Sequence, residues 1–179
     1  DVGEIGNGTT IDPTVPVQVK GQGGVGNLGG VVAISAGEKH SLALLNDNTV
    51  RAWGGNSFGE LGDGTTTDRL TPVPVSGLTN VKAISAGGHF SVALKSDGTV
   101  WAWGSGQNGQ VGDGGSPADR LTPVQVSGLT NVLAISAGLD HALALKNNGT
   151  VWAWGYNGFG QIGDGTTNDA LVPVPVSGF

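Results

Sequence analysis

The chain of 179 residues contains no cysteine, no methionine and a single tyrosine, and only 12% of its residues are charged. Without cysteine, neither disulfide bonds nor thiolate metal ligands are available. No apolar run approaches the roughly 20 residues that a membrane-spanning helix needs, so we expect no membrane insertion. Because the chain begins at Asp1, without methionine or a signal sequence, we expect it to be a processed or excised piece of a longer protein.

Basic residues are also scarce. Eight lysines and arginines stand against 14 aspartates and glutamates, which gives a net charge of −6. The basic residues are scattered singly and form no patch that could follow a phosphate backbone. We therefore expect no nucleic-acid partner.

A hexapeptide that occurs three times organises the sequence. Thr99–Gly104 is preceded by Thr49–Gly54 and followed by Thr150–Gly155, at spacings of 50 and 51 residues. A fixed period of this length is typical of stacked or circular repeat proteins. We divide a single repeat domain, residues 1–179, into a partial unit over 1–30 and three full units over 31–80, 81–131 and 132–179.

Each full unit is predicted to form four short strands. In the second unit the first three cover 81–87, 91–95 and 99–104, and in the first unit the fourth covers 70–75. The Asp97-Gly98 turn indicates a hairpin, because both residues tolerate a positive φ. Asn48 replaces that glycine in the first unit and must adopt the left-handed conformation itself.

The prolines predict the order of the strands. Pro72 and Pro74 remove two N–H donors from the same edge of the fourth strand, which places that strand outermost. The first strand is rich in small residues and suits a crowded inner end. Sheets of this kind are the blades of a β-propeller. Residues 14–19 repeat the proline–valine pattern and are predicted to be an extra N-terminal outer strand.

The predicted fold is therefore an all-β propeller of about three four-stranded blades plus that strand. Three blades do not close a ring, since closed propellers have about four to eight. We expect an incomplete ring or half-propeller whose blades self-associate to complete a circle. Trp101 and Trp103 are predicted to fill the space between blades, and the alternative is a stacking platform for sugars.

Three motifs recur in order through the units: Ala36–Leu44 (AGEKHSLAL), Asp97–Gly104 (DGTVWAWG) and Gly160–Gly165 (GQIGDG). In order and spacing they resemble the repeats of the regulator-of-chromosome-condensation family, over nearly the whole chain. The resemblance implies a β-propeller, which in that family is usually seven-bladed. Phe90 departs from the pattern, because it stands where the family has histidine and His89 comes one place earlier.

The same resemblance implies two kinds of function. Eukaryotic members of the family include a nucleotide-exchange factor for a small GTPase that also binds chromatin. A secreted bacterial relative clamps β-lactamases with the loops of one propeller face. The short regular units, the absence of cysteine and the acidic balance look more like the bacterial type. We therefore expect a bacterial protein that is extracellular or on the cell surface.

Motifs for catalysis are weak. Gly104–Gly109 matches a dinucleotide-binding fingerprint, but no helix follows to receive a pyrophosphate. No serine or cysteine stands in a nucleophile elbow, and the histidines are too scattered for zinc. We predict no enzymatic activity, no cofactor and no metal. The Gly62–Asp68 and Gly163–Asp169 loops leave a weak calcium site open, although turn chemistry explains their aspartates more simply.

Strand direction sorts the loops onto two faces. The first-to-second and third-to-fourth connections of every unit emerge on one face, and there the sequences differ between units. Variation within a constant frame is what a recognition surface would show, although such loops could also merely tolerate change. The predicted partner-binding residues are Glu38, Lys39, His40, Asn56, Phe58, His89, Phe90, Asn108, Leu139, Asp140, His141, Tyr156, Asn157 and Phe159.

We expect the chain to be a non-catalytic scaffold that binds another protein through these variable loops. Two alternatives remain. One is regulation of a small GTPase by nucleotide exchange, and the other is an extracellular structural or carbohydrate-binding module.

Overall fold

The computed structural model describes residues 2–115 and 118–178, and twelve strands over these ranges form three antiparallel sheets. The first sheet contains β1 Val31–Ala36, β2 His40–Leu45, β3 Val50–Gly54 and β4 Arg69–Pro74. The second contains β5 Val81–Ala86, β6 Phe90–Lys95, β7 Val100–Gly104 and β8 Arg120–Gln125. The third contains β9 Val132–Ala137, β10 His141–Lys146, β11 Val151–Gly155 and β12 Ala170–Pro175. A 3-10 turn over Gln22–Gly24 lies before the first sheet.

Each sheet is one blade, and its strands are ordered as they follow one another along the chain. The inner strands of neighbouring blades are joined by side chains: the Ala86 N–H donates to Ser35 Oγ at 3.0 Å, and the Ala137 N–H to Ser85 Oγ at 2.9 Å. The proline-bearing strands lie at the opposite edge. The predicted all-β blades, with small residues inside and prolines outside, are therefore confirmed.

The hairpin turns have the predicted backbone geometry. Gly98 has a φ of 81° and Asn48 a φ of 62°. Asn80 and Asn131, in the linkers between blades, also adopt the left-handed conformation with a φ of 58° each. Asparagine tolerates this region better than other non-glycine residues, which explains why it closes each linker.

The apolar core lies between the blades. Leu42, Leu44 and Val50 of the first blade pack against Val81 and Trp103 of the second. The equivalent residues of the second blade pack against the third in the same way. The last tryptophan of each hexapeptide is buried, as predicted for inter-blade packing: Trp53, Trp103 and Trp154.

The first tryptophan of the hexapeptide has a different environment. Trp101 and Trp152 are half-buried, and their indoles donate to Thr99 and Thr150 of the preceding turn. A lysine ammonium lies over each ring, 5.3 Å from the centroid of Trp101 and 5.1 Å from that of Trp152. Because lysine occupies one face of each ring, a stacked sugar would have to displace it.

One predicted element is wrong. Residues 14–19 do not form a strand, and the nearest pairing is an isolated bridge between Lys20 and Asn27. In the three blades every outer strand pairs with the third strand of its own sheet. The third strand that would pair with residues 14–19 is not among the described residues, so the segment is extended without a hydrogen-bonded ladder.

Candidate functional site

Backbone hydrogen bonds hold the variable loops together on one face. The N–H groups of Gly55, Ser105 and Tyr156 each donate to the loop between the first two strands of the same blade. The accepting carbonyls are those of Lys39 at 2.6 Å, His89 at 2.8 Å and Asp140 at 2.8 Å. We call this face the loop surface; it comprises residues 37–39, 55–68, 87–89, 105–115, 118–119, 138–140 and 156–169.

A buried asparagine braces two of the long loops. Asn56 is fully buried, and its amide nitrogen donates to the Thr65 carbonyl at 3.0 Å and the Thr67 carbonyl at 3.1 Å. Its side-chain oxygen accepts from the Leu61 N–H at 2.9 Å. In the third blade Asn157 is also buried; its amide nitrogen donates to the Thr166 carbonyl at 3.0 Å, and its side-chain oxygen accepts from the Ile162 N–H at 2.9 Å. These two predicted partner-binding side chains are therefore buried, because the loop itself uses their polar atoms.

A glutamate or glutamine connects each of the first two long loops to the next blade by hydrogen bonds. The Glu60 carboxylate accepts from the Phe58 N–H at 2.9 Å, and its backbone carbonyl accepts from the Trp103 indole at 2.7 Å. Gln110 does the same for the Asn108 N–H at 2.8 Å and the Trp154 indole at 2.9 Å. Sequence reasoning missed this role, although the recurrence of Glu or Gln two residues before Gly was a visible signal.

His40 and Ser91 lie together and superficially resemble a base and a nucleophile. His40 Nε2 is 2.9 Å from Ser91 Oγ, but the serine hydroxyl donates to the Glu60 carbonyl, also at 2.9 Å. Because the serine proton is already shared with the Glu60 carbonyl, the imidazole donates to the hydroxyl and does not accept from it. Both side chains are buried, and burial, with a smaller contribution from the charge of His89, lowers the pKa of His40 to about 4.

His40 and Phe90, both predicted to bind a partner, are therefore not exposed on this face. They occupy equivalent positions at the start of β2 and β6, and both are buried at the blade junction. His141 has the same position in the third blade but is only half-buried. Burial lowers its pKa against the opposing effect of Asp140.

The junction of the first two blades gathers charged and aromatic side chains. The His89 ring lies 5.0 Å from that of Phe58, with its Nδ1 3.4 Å from a buried Glu60 oxygen. Its Nε2 lies 3.7 Å from Glu38, which is exposed. Burial raises the pKa of Glu60, although hydrogen bonds and His89 oppose that shift. Three of them, Glu38, Phe58 and His89, are predicted partner-binding residues that lie together at this junction.

The third blade carries the most exposed apolar part of the loop surface. Phe159 is 87% exposed and Leu139 is 61% exposed. The Phe159 ring contacts that of Tyr156 edge-on at 6.1 Å, and the Tyr156 N–H donates to the carbonyl of Asp140. Lys39 is exposed on the first blade and Asn108 is half-buried on the second. These residues remain available for contact with a partner.

The aspartates of the long loops act in turns. Asp63 Oδ1 accepts from the Thr65 N–H at 2.9 Å, and its Oδ2 lies 2.7 Å from the Arg69 guanidinium. Burial would raise the pKa of Asp63, but hydrogen bonds from Thr65 and Arg69 hold it below its ordinary value. Across the described ranges, no three histidine, aspartate or glutamate side chains form a group suited to a metal ion. The same ranges contain no helix long and apolar enough to cross a membrane.

Comparisons with known proteins agree with this architecture. The model of the regulator of chromosome condensation (RCC1) repeat matches residues 1–44, 47–94, 97–145 and 148–179. A second model of the repeat matches 31–60, 81–110 and 132–161.

Three relatives give the scale of the likeness. The ultraviolet-B receptor UVR8 of Arabidopsis thaliana is 30% identical over 177 residues, which are 97% of this chain and 39% of the receptor. The human E3 ubiquitin-protein ligase HERC2 is 35% identical over 145 residues, 79% of this chain but 3% of the ligase. The structure of Prp20p from Saccharomyces cerevisiae matches with a TM-score of 0.76 and 26% identity, over 83% of this chain and 39% of Prp20p.

The chain thus spans about two fifths of UVR8 and of Prp20p. Because the repeat model covers nearly all of its length and the blades have the matching fold, the chain belongs to the regulator of chromosome condensation (RCC1) repeat family.

Proposed function

We propose that this chain is a non-catalytic module that binds another protein through the loop surface. The observation that supports this most strongly is the exposure of Phe159 and Leu139 on loops that are otherwise tightly braced. Exposed aromatic and aliphatic side chains beside polar groups are typical anchors of protein interfaces.

The bracing favours binding, because a flexible loop that becomes ordered in a complex loses conformational entropy, and this lowers the affinity. Asn157 and Gln161 hold the loop that carries Phe159, and the Gln161 side chain accepts from the Phe159 N–H at 2.8 Å. A loop whose backbone is already held loses less conformational entropy on binding. Glu38, Lys39 and Asp140 lie on the same face and can select the orientation of a charged partner.

The relatives support a protein partner. Prp20p was described together with its binding to Gsp1p and histones. A second candidate function is nucleotide exchange on a small GTPase, which the likeness to Prp20p favours. Accelerated release of GDP from a GTPase, in the presence of this chain, would support that candidate.

Affinity capture from an extract of the source organism, read by quantitative mass spectrometry, tests the loop surface. We expect Leu139→Ser with Phe159→Ser to reduce capture of the specific partner at least tenfold, because both anchors are lost. Leu133→Ser is the matched control, since Leu133 is equally apolar and exposed but lies on the inner strand β9. If the double variant captured the same proteins in the same amounts as the control, the loop surface would not be the binding site.

A further inference from the structure

One histidine lies between two carboxylates at the junction of the first two blades. His89 belongs to the second blade, whereas Glu38 and Glu60 belong to two different loops of the first. Its Nε2 is 3.7 Å from a Glu38 oxygen, and its Nδ1 is 3.4 Å from a Glu60 oxygen. Both distances exceed ordinary hydrogen-bond length, and Nδ1 is buried without a hydrogen-bond partner among the described residues. The ring therefore lies between two acceptors and is hydrogen-bonded to neither.

The two carboxylates differ in their environment. The Glu60 side chain is 4% exposed, and only one of its oxygens accepts from the Phe58 N–H, at 2.9 Å. The Glu38 side chain is 47% exposed, so water can solvate its charge. A buried carboxylate that lacks a donor costs more free energy than an exposed one. The contact of the ring with Glu60 is therefore the one whose loss would destabilise the fold more.

The charge of the ring decides how many of these carboxylates it can bind. A neutral imidazole has one N–H donor and one lone pair, whereas the imidazolium has two N–H donors. When His89 is protonated, both nitrogens can donate, and the charge of the ring attracts both neighbours. When His89 is neutral, one nitrogen must turn its lone pair towards a carboxylate, which is repulsive. We expect the neutral ring to keep its proton on Nδ1, facing Glu60, so that the lone pair of Nε2 faces Glu38.

We propose that His89 is a pH-dependent bridge between Glu38 and Glu60. When His89 is protonated, the ring joins both loops of the first blade to the second blade. When it is neutral, the ring keeps its contact with Glu60 and releases Glu38. Because imidazoles change charge between about pH 5 and pH 8, the contact with Glu38 should be lost as the pH rises through this range. The bridge lies within the chain and does not require a partner.

The neighbouring titratable groups set the lower limit of the bridge. His40, at the start of β2, also faces His89, and burial together with the charge of His89 lowers its pKa to about 4. His40 therefore stays neutral between about pH 5 and pH 8. Burial raises the pKa of Glu60, although hydrogen bonds and His89 oppose that shift. In more acidic solution Glu60 gains a proton, and the bridge should weaken again.

The junction of the second and third blades has a counterpart that does not titrate in this range. Gln110 and Asp140 stand at the positions of Glu60 and His89. The Gln110 side chain accepts from the Asn108 N–H at 2.8 Å, and its amide nitrogen lies 3.5 Å from an Asp140 oxygen. An amide group donates and accepts without a change of charge. The pH dependence should therefore be confined to the first of these two junctions.

The bridge also changes the loop surface. Glu38 and His89 both lie on that surface, so the surface loses a positive charge and gains a free carboxylate as the pH rises. A partner that contacts Glu38 would bind with an affinity that depends on pH, because interface charges select their partners by complementarity. This consequence rests on the proposed function, whereas the bridge itself does not.

NMR spectroscopy of the isolated chain tests the bridge in the absence of any partner. We expect a cross-relaxation peak between the side-chain protons of Glu38 and the ring protons of His89 at about pH 5.5, and a peak at least threefold weaker at about pH 8. The corresponding peak between His89 and Glu60 should persist at both values. The backbone amides of residues 37–39 should shift with the same midpoint as the His89 ring protons, because one proton controls both.

Two single variants of the same loop separate the bridge from a general effect of charge. Glu38→Gln keeps the size of the side chain but removes the carboxylate, so the amides of residues 37–39 should follow the titration of His89 at least threefold less. Lys39→Gln is the matched control, because it changes a charge on the same loop and leaves both carboxylates in place. It should behave like the unmodified chain. Both side chains are exposed, so both variants should fold.

Three results would overturn the bridge. The first is a contact between Glu38 and His89 of equal strength at both pH values, and the second is a set of loop amides that titrates apart from the His89 ring. The third is a Glu38→Gln variant whose loop amides still follow His89 as they do in the unmodified chain. None of these results depends on capture of a partner, so the bridge and the proposed function can fail separately.

Discussion

At the scale of single residues, the glycine of the Ala-Gly-x-x-His motif makes room for the ring three residues later. A Cβ built on Gly37 would lie 2.4 Å from His40 Cε1, and one on Gly87 would lie 2.1 Å from Phe90 Cε1. Glycine is therefore required because the ring of the following strand packs directly on the backbone. The position holds an imidazole in the first and third blades and a phenyl ring in the second, so the common feature is a flat ring packed on the glycine.

His40 makes a testable contribution to the pH dependence of stability. Its pKa is lowered to about 4 in the folded chain, while the unfolded chain titrates near 6.5. The unfolded state therefore binds more protons between these values, and the free energy of unfolding should fall by about 3 kcal/mol as the pH drops from 6.5 to 4. Denaturant unfolding measured across this range checks the prediction.

His40→Phe is the informative comparison, because the second blade already has phenylalanine there. Its unfolding free energy should lack the part of the fall due to His40. The pKa of Glu60 is raised by burial and works in the opposite direction, but Glu60 is present in both proteins and largely cancels. Parallel pH curves for the two proteins would show that His40 does not titrate as described.

At the scale of the element, the third strand of each blade separates two tryptophans by function. The first tryptophan is half-buried at the blade surface, and the first unit has Arg51 at this position. The second is buried against the long loop of the preceding blade, where Gly62 allows the backbone to approach the Trp103 indole closely, with a built Cβ 2.9 Å from Nε1. The two tryptophans, two positions apart, should therefore contribute unequally to the stability of the fold.

Trp103→Phe should destabilise the fold by about 2 kcal/mol, since it removes a buried hydrogen bond to Glu60 and leaves a cavity. Trp101→Arg, which reproduces the first blade, should cost less than about 1 kcal/mol because that site is partly exposed. Urea denaturation of the two variants measures the difference. Equal losses would mean that the two positions are not distinguished by burial.

At the scale of the whole molecule, stability should differ between the blades. Within the described ranges the second blade packs against both the first and the third, whereas each of those two packs against the second blade alone. In repeat proteins each unit is stabilised chiefly by its immediate neighbours. The second blade should therefore open least often.

Hydrogen exchange on this chain measures the difference directly. We expect the amides of β6 and β7 to exchange at least tenfold more slowly than those of β10 and β11, because the third blade lacks cover. Uniform protection over all three blades would contradict the expected gradient.

The accessible residues were harder to predict than the face on which they lie. The order of the strands places all the variable loops together, and the backbone bonds from Gly55, Ser105 and Tyr156 confirm that placement. Whether a side chain then points outward depends on the blade next to it. Phe90 is buried in the core between the second and third blades, while Phe159 on the third blade is exposed.

The sequence by itself determined the number of blades, the order of their strands, the turns and the buried tryptophans. These features follow from local rules: a period near 50 residues, glycine and asparagine in turns, and proline at an edge. Only the tertiary structure decided that His40 and Asn157 are internal and that residues 14–19 have no partner strand. Burial and strand pairing depend on a second element that packs against the first. The residue pattern within one element does not show which element that is.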